Sequence, residues 1–356
     1  MIMPNTIDMK KPTQAPATAS EQHVPRPVQL VKISAVGTAV PPGLLTNKDL
    51  TKIVDTTDEW IRTRTGIVQR HVVAKGVASS DLGAEAAKQA LSRAGVAPTD
   101  IELIIVATIT PDMIFPSTAC LVQHKIGAKG AWGFDLNAAC SGFLYALQTG
   151  VQFIASGVHK KVLVIGADIM TSITDYQDRN TCVLFGDAAG AVLLEGSSSA
   201  DDGCFIDFLH EVDGSGGHLL QLPAGGSLNP ASHETVEKRM HYLRQDGPTV
   251  FKFATLKMSE ICNRLLARNG LTGADVDVFI PHQANKRIID AAAQRIGAAP
   301  DRVIINIDQF GNTTAATVPM AMNTALEQGK LKKGDLVLIG TMGAGLTSGA
   351  ALLRWG

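Results

Sequence analysis

A cysteine among small residues is the first candidate for chemistry in this sequence. Cys140 lies in the run Asn137-Ala-Ala-Cys-Ser-Gly142, which follows a short predicted strand and precedes a predicted helix. Unpaired backbone N–H groups and the dipole at a helix N-terminus favour a thiolate, the nucleophilic form of cysteine. The pattern therefore predicts a nucleophile at Cys140, and a buried structural cysteine is an equally good interpretation of this segment alone.

Two later segments place polar residues where predicted strands end. His282 follows the apolar run Phe279-Ile-Pro281 and precedes a predicted helix, at the strand edge where ligands bind in α/β sheets. The alternative is a histidine that caps the next helix, because position alone sets no pKa. Asn312 also lies in a glycine-containing turn between a predicted strand and a predicted helix, where asparagine is often only a turn residue or N-cap.

Two glycine-rich loops precede apolar strands. The loop at 340–349 can supply backbone N–H groups to a developing oxyanion, whereas the loop at 185–190 is interpreted as a tight strand connection. The remaining cysteines are interpreted as structural. They are Cys120, Cys182, Cys204 and Cys262. Together with Cys140 they make an odd number and show no C-x-x-C spacing, which argues against a disulfide framework or a structural zinc site and favours a reducing cytosol.

Elements that position these residues can be read from apolar periodicity. Residues 80–94 carry apolar side chains at helical spacing, with Ser79, Ser80 or Asp81 as possible N-cap and Gly95 as the stop. Short runs that are apolar on both faces alternate with helical patterns, which predicts an α/β fold with a sheet buried between helical layers. The predicted strands are Leu30–Gly37, Leu103–Ala107, Val162–Gly166, Val278–Pro281 and Leu336–Gly340.

The two halves of the chain resemble each other. Four pairs of segments match in the same order, which favours duplication of one α/β unit over chance similarity of apolar strands. The turn that bears Asn312 is then the counterpart of the turn that bears Cys140, and equivalent turns can face each other across one site. The pairs are 91–105 with 266–280, 126–128 with 296–298, 162–166 with 336–340, and 190–194 with 349–353.

Composition limits the function classes. The chain has 356 residues with 32 Lys plus Arg against 33 Asp plus Glu, a balance that argues against a general nucleic-acid binder. No run approaches the ~18 apolar residues that cross a bilayer.

Residues 1–28 hold five prolines and no apolar signal segment, so we predict a disordered N-terminal extension. The predicted units that follow are 29–196, a loop-rich insertion at 197–250 without a counterpart in the first half, and 251–356.

Taken together, the motifs resemble the β-ketoacyl-acyl-carrier-protein synthase III family of the thiolase superfamily. The resemblance runs from about Leu30 to Gly356 and rests on six motifs in order. They are Asp58-Glu-Trp-Ile-Arg-Thr-Arg-Thr-Gly66, Phe115-Pro-Ser117, Ala138-Ala-Cys-Ser-Gly142, Phe185-Gly-Asp187, Pro281-His-Gln-Ala-Asn285 and Gly311-Asn-Thr-Thr-Ala-Ala316. This implies duplicated βαβαβαββ halves in an α-β-α-β-α arrangement.

The resemblance also implies a two-stage condensation. Cys140, His282 and Asn312 match the family's catalytic triad, and the backbone N–H groups of Cys140 and Ala344 match its oxyanion hole. Cys140 would take an acyl group from a short acyl-CoA, most simply acetyl-CoA, and malonyl-acyl-carrier protein would then lose CO₂ and attack it. No cofactor and no metal are implied, since acyl-CoA and the carrier protein are substrates.

Further matches concern binding. Trp60 and Arg179 match the pair that brackets the CoA adenine, and Arg64 matches a basic residue of the tunnel. Lys252, Arg287 and Arg295 match basic residues at the mouth, where an acidic carrier protein and phosphates would dock, although an isolated basic residue can also be a plain surface charge. Phe115 and Met342 match the acyl pocket, Phe115 as a residue lent to a partner chain, which implies a cytoplasmic homodimer.

The sequence departs from the family pattern at three positions. Met342 and Ser348 stand where the family commonly has Phe and Trp, and Ala188 replaces a frequent glycine. These changes leave the triad intact and bear on primer length. A specialised relative that condenses or transfers an unusual acyl group for a secondary-metabolite, signal or cofactor pathway is the alternative function. A non-catalytic acyl-CoA-binding subunit would not require all three triad residues.

Overall fold

Apolar runs form the centres of two sheets in the computed structural model, which describes residues 29–356. The strands are β1 (Val31–Ala39), β2 (Gly43–Thr46), β3 (Gln69–Val72), β4 (Leu103–Ala107), β5 (Trp132–Leu136), β6 (Lys161–Ile169), β7 (Asp187–Gly196), β8 (Cys204–Val212), β9 (Leu220–Gln221), β10 (Arg244–Gln245), β11 (Val278–Pro281), β12 (Leu336–Gly343) and β13 (Thr347–Arg354). The predicted extension at 1–28 lies outside the described residues.

Eleven α-helices accompany these strands in the described part of the chain. They are α1 (Asn47–Leu50), α2 (Asp58–Thr65), α3 (Ser79–Ala94), α4 (Thr118–Ile126), α5 (Gly142–Ala155), α6 (Arg179–Cys182), α7 (His233–Glu237), α8 (Gly247–Arg268), α9 (Lys286–Ile296), α10 (Ile307–Phe310) and α11 (Thr317–Glu327).

The five-stranded sheet has the order β1-β7-β6-β4-β5, and the four-stranded sheet has the order β11-β12-β13-β8. In the first sheet β5, β4 and β6 run parallel, while β7 and β1 are antiparallel to their neighbours. Every residue of β4 is buried, which agrees with a strand covered on both faces. Two further pairs, β2-β3 and β9-β10, form small separate sheets.

Helices cover both faces of both sheets and give the layered α-β-α-β-α fold that the resemblance implies. Helices α3 and α4 pack on the outer face of the first sheet, and α8 and α9 pack on the outer face of the second. Helices α5 and α11 lie between the sheets, where Leu144 and Val318 share one core with Ile105 of β4 and Ile339 of β12. The middle layer therefore brings the N-termini of α5 and α11 into the interior.

The structure confirms the internal duplication. Helices α3 and α8 each lead through a 3₁₀ turn into a buried strand, β4 or β11. Helices α4 and α9 end at Gly127 and Gly297, whose φ values of 78° and 80° require the left-handed region that glycine favours. In each half the last two strands are antiparallel neighbours, β6 with β7 in the first half and β12 with β13 in the second.

The prediction that 197–250 lacks a counterpart in the first half is wrong. Strand β8, at 204–212, pairs antiparallel with β13, as β1 pairs with β7. The sequence hides this likeness because β8 is a half-exposed edge strand without the apolar run of the inner strands. The predicted boundary at 250 also falls inside α8, which begins at Gly247 after the N-cap Asp246. Residues 213–246 form the loop-rich part.

Two local predictions also need correction. The N-cap of α3 is Ala78, and not Ser79, Ser80 or Asp81. Asp81, in the first turn, accepts a hydrogen bond from the Ala78 N–H. The strand expected before Asn312 is reduced to a single bridge between Val303 and Phe279, followed by the short helix α10. Among residues 29–356 no helix is both long and apolar enough to span a bilayer.

Gly166 of β6 gives a direct test of how tightly the two halves meet. A Cβ atom at this position would lie 2.4 Å from the Ala315 carbonyl oxygen, which belongs to the turn before α11. We expect Gly166→Ala to lower the free energy of unfolding by about 1–3 kcal/mol, since the obstacle is backbone. Urea unfolding measures the change. Gly130→Ala, whose Cβ would meet its nearest atom at 3.8 Å, is the control and should change stability by less than about 0.5 kcal/mol; equal effects would contradict the account.

Candidate active site

Two equivalent 3₁₀ turns meet in the interior, at Ala139–Ser141 before α5 and at Thr314–Ala316 before α11. Each contains a non-glycine residue with positive φ, 47° at Ala139 and 53° at Thr314. In each, an asparagine side chain accepts from the N–H two residues on, at 3.4 Å for Asn137 and 2.9 Å for Asn312. Asn312 is therefore the structural counterpart of Asn137, which confirms that the two turns correspond.

A single cavity of about 1210 Å³ collects the three predicted catalytic residues. Cys140, His282 and Asn312 all line it, and each is buried. The size exceeds the ~300–1,000 Å³ of common ligand pockets, which suits a long substrate. The sequence-based expectation that these residues converge on one site is met by the geometry.

The thiol of Cys140 is buried, with 8% of the residue exposed. Burial, reinforced by the negative charge of Asp168, raises the pKa of Cys140 to about 12, and the backbone N–H of Cys140 opposes this only weakly. The resting group is therefore a protonated thiol. Burial therefore opposes the thiolate that the helix N-terminus is predicted to favour. Attack on a substrate needs a base.

His282 lines the same cavity as Cys140. Burial lowers the pKa of His282 to about 3, so the imidazole is neutral. Its Nδ1 lies 2.6 Å from Thr317 Oγ1, and this hydroxyl donates to the Thr314 carbonyl at 3.0 Å. A hydroxyl has one proton, so Nδ1–H must donate to Thr317, which leaves a lone pair on Nε2. This buried Nε2 has no hydrogen-bond partner among residues 29–356.

Asn312 is fixed on three sides. Its N–H donates to the Leu184 carbonyl at 2.9 Å, its carbonyl accepts from the Gly186 N–H at 3.1 Å, and its Oδ1 accepts from Thr314. With Oδ1 engaged, the amide NH₂ group is left for a ligand in the cavity. The loop at 185–190, interpreted as a mere strand connection, therefore holds Asn312 in place. Its residues from Asp187 onward belong to β7.

The glycine-rich end loop packs against the turn of Cys140. A Cβ at Gly343 would lie 2.9 Å from the Cys140 nitrogen, so only glycine allows this approach. Thr347 Oγ1 lies 3.0 Å from Ser141 Oγ and 3.2 Å from the Ala344 carbonyl, which ties the loop to the turn. The Ala344 N–H has no acceptor within the described chain, and both Ala344 and Cys140 line the cavity. Two backbone donors are thus available to an oxyanion.

Aromatic and cationic side chains surround the entrance. The guanidinium carbons of Arg64 and Arg179 lie 5.0 and 5.1 Å from the centre of the Trp60 ring. Trp60 and Arg64 line the cavity, but Arg179 does not, because its side chain turns toward the Asp55 carbonyl at 2.9 Å. In this structure Arg179 stacks directly on Trp60, so an adenine that entered between them would have to move it.

The remaining predicted residues divide between cavity and surface. Arg287 lines the mouth and lies 5.1 Å from the Phe251 ring, whereas Lys252 and Arg295 are exposed outside the cavity. Met342 is buried and lines the cavity. Phe115 is 82% exposed and does not reach the cavity of its own chain.

Sequence reasoning missed the residues that hold the triad. Thr317 orients His282, Leu184 and Gly186 hold Asn312, and Asp168 contacts the turn before α11. Only Thr317 carries a local signal, as a hydroxyl residue at the start of a helix. The others act through contacts between distant parts of the chain.

Comparisons with known proteins agree with this geometry. The family model described as 3-oxoacyl-[acyl-carrier-protein (ACP)] synthase III matches residues 134–214, and the model of its C-terminal part matches residues 266–355. A β-ketoacyl-[acyl-carrier-protein] synthase III of Koribacter versatilis is 59% identical over 92% of this chain and 98% of its own length. The one from Solibacter usitatus is 61% identical over 91% and 98%.

Solved structures show the same fold. The crystal structure of 3-oxoacyl-[acyl-carrier-protein] synthase III from Aquifex aeolicus superposes with a TM-score of 0.84 at 44% identity. The superposition covers 91% of this chain and 100% of the Aquifex aeolicus chain.

The protonation state of Cys140 can be tested by alkylation. Because its pKa is raised, the thiolate fraction should grow about tenfold per pH unit from about pH 6 to about pH 9, without a plateau. Iodoacetamide labelling followed by peptide mass spectrometry measures this rate. A Cys120→Ser background removes the exposed cysteine that would react at the surface. A rate that levels off near neutral pH would show a stabilised thiolate instead.

Proposed function

The chain belongs to the β-ketoacyl-acyl-carrier-protein synthase III family, and we propose that it joins a short acyl-CoA, most simply acetyl-CoA, to malonyl-acyl-carrier protein. The reaction is a decarboxylative Claisen condensation that yields a 3-oxoacyl-acyl-carrier protein, CoA and CO₂, and it initiates fatty acid synthesis. Relatives near 60% identity that carry this name favour it over a specialised acyl transfer. The observation that supports the chemistry most is the convergence of Cys140, His282 and Asn312 on one cavity.

In the first stage Cys140 takes the acyl group. Nε2 of His282 accepts the thiol proton as the sulfur attacks the thioester carbon, and the N–H groups of Cys140 and Ala344 stabilise the tetrahedral oxyanion. The carbon–sulfur bond to CoA then breaks, and the same proton passes to the departing CoA sulfur. Cys140 carries the acyl group as a thioester, and His282 is neutral again.

In the second stage the malonyl group supplies the carbon nucleophile. Its negative charge favours uptake of one solvent proton at Nε2 of His282. Loss of CO₂ leaves an enolate whose oxygen accepts hydrogen bonds from Nε2–H and from the Asn312 amide. The enolate carbon attacks the acyl-cysteine, the bond to Cys140 sulfur breaks, and the released thiolate takes the proton from His282. Atoms and charge balance with uptake of one proton, and every step uses groups of the chain, so no cofactor or metal is required.

Binding of the substrates is assigned to the entrance. Trp60, Arg64 and Arg179 offer flat aromatic and cationic faces to the CoA base, and Arg287 lies at the mouth for its phosphates. Lys252, Arg287 and Arg295 project from α8 and α9 and would dock the acidic carrier protein. We place the reaction in the cytoplasm, where these substrates occur.

Removing Asn312 should separate the two stages, whereas removing His282 should impair both. His282→Ala and Asn312→Ala lose a donor to the enolate, so release of CO₂ from malonyl-carrier protein should fall by about 10²–10³-fold. Acyl transfer should suffer less in Asn312→Ala, because Asn312 has no part in moving the thiol proton. Radiolabelled acetyl-CoA followed by malonyl-carrier protein gives protein-bound label and CO₂ from one sample. Cys140→Ser is the control and should show no protein-bound label. Equal and severe loss of labelling in both alanine variants would contradict the division of stages.

Carrier-protein docking can be tested at Lys252. This exposed residue lies outside the cavity, so Lys252→Glu should raise the KM for malonyl-carrier protein several-fold and leave labelling by acetyl-CoA unchanged. The effect should shrink at high salt, because exposed charges are screened. Lys88→Glu on α3, in the opposite outer layer, is the matched control. Equal KM values for the two variants would remove Lys252 from the docking surface.

A homodimer is supported by an exposed edge and loop of the first sheet. Strand β5 is the last strand of that sheet, and Trp132 at its start is half exposed beside Phe134 and Phe153. Ile114 and Phe115 are 83% and 82% exposed, which is costly unless a second copy covers them. Phe115 of one copy would then complete the acyl pocket of the other.

Sedimentation at micromolar concentration tests the dimer. We expect Trp132→Glu to shift the protein toward monomer, because it places a charge on the edge strand. Leu44→Glu, at a half-exposed apolar residue of β2, should leave the dimer intact. A wild-type monomer, or equal dissociation by both variants, would contradict the assignment of β5 to the interface.

A further inference from the structure

Asp168 near the end of β6 is a fully buried carboxylate with an unusual set of partners. Its Oδ1 accepts from Thr108 Oγ1 at 3.0 Å, from the Ile109 N–H at 2.8 Å, and from the N–H and Oγ1 of Thr110 at 3.2 and 2.9 Å. No ion pair compensates it among residues 29–356. A buried charge held only by neutral donors is costly, so it calls for a role beyond packing.

The second oxygen of Asp168 reaches across to the other half of the duplicated fold. Oδ2 accepts from the Ala315 N–H at 3.1 Å, in the centre of the turn Thr314–Ala316. The same turn fixes Asn312 through the Thr314 N–H, and its Thr314 carbonyl accepts from Thr317, the partner of His282. One carboxylate of the first half therefore anchors the segment that orients both enolate donors of the second half.

The charge of Asp168 also acts on Cys140. Burial raises the pKa of Asp168 to about 6, so the group is ionised at neutral pH. Burial is the main cause of the raised pKa of the Cys140 thiol, and the negative charge of Asp168 adds to it.

We propose that Asp168 is a positioning residue for the decarboxylation stage: it holds the turn that aims Asn312 and His282. This inference rests on the proposed function. Loss of the anchor makes the two enolate donors less well placed and leaves the thiol of Cys140 in the site.

Two variants of Asp168 separate charge from position. Asp168→Asn removes the charge and turns a donor NH₂ or a weaker acceptor toward the Ala315 N–H. Asp168→Glu keeps the charge and displaces the carboxylate by one methylene. Thr108→Val is the matched control, because it removes one donor to Asp168 and leaves both the carboxylate and the Ala315 contact. All variants are made in the Cys120→Ser background, and thermal unfolding verifies that each is folded.

Cys140 alkylation at neutral pH and release of CO₂ from malonyl-carrier protein are measured on the same samples. Asp168→Asn should alkylate at least as fast as the parent, because the negative charge of Asp168 adds to the raised pKa of the Cys140 thiol. Its CO₂ release should fall by about 10²-fold, the cost of a misplaced donor. Asp168→Glu should alkylate like the parent and also lose CO₂ release. Thr108→Val should resemble the parent in both.

Each result supports or overturns the role of Asp168. Parent-like CO₂ release in Asp168→Asn or in Asp168→Glu overturns the anchoring role. An equal loss of Cys140 alkylation and of CO₂ release in both variants would show general damage to the site and would overturn it as well. Failure of both variants to fold would make Asp168 a residue of stability alone and would also overturn the inference. If the parent protein itself releases no CO₂ from malonyl-carrier protein, the proposed function fails, and that outcome is distinct from the failure of the role of Asp168.

Discussion

The meeting of two helix N-termini in the middle layer is the constraint on which the rest of the structure depends. Helices α5 and α11 begin from turns that face each other between the sheets, and Gly166 lets β6 pass within contact of the second turn. Because both turns are buried, every polar group in them must find a partner or face the cavity. The thiol of Cys140, the Asn312 amide and the His282 imidazole, which follows β11, all face the cavity, and the proposed chemistry uses these groups together with backbone N–H groups.

Burial gives this site its chemical character. Burial raises the pKa of Cys140 and lowers the pKa of His282, so it favours a thiol and a neutral imidazole in the same cavity. Charge then develops only when a thioester or a malonyl group supplies atoms that can carry it, next to donors already in position. The same desolvation explains why the carboxylate of Asp168 is felt at the thiol, since few water dipoles screen it.

Much of the fold and of the site could be predicted from the sequence, because these parts depend on local patterns of neighbouring residues. The apolar runs of β4 and β12, the glycine after α9 and the position of His282 at a strand end each follow from a few neighbouring residues. Strand β8 could not be predicted, because a half-exposed edge strand has no continuous apolar run. The raised pKa of Cys140 could not be predicted, because a helix N-terminus is visible in sequence and burial is not. Asp168 escaped notice because its partners Thr108 and Ala315 lie far apart in the chain.

The central claim is that one cysteine receives the acyl group and gives it up to carbon. Intact-protein and peptide mass spectrometry after exposure to acetyl-CoA, followed by addition of malonyl-carrier protein, measures both events in one experiment. The account predicts an acetyl group on the peptide that contains Cys140, which then moves to the carrier protein as a 3-oxobutyryl group. An acetyl group found on another residue, or one released from Cys140 as free acetate when the malonyl substrate arrives, would contradict it.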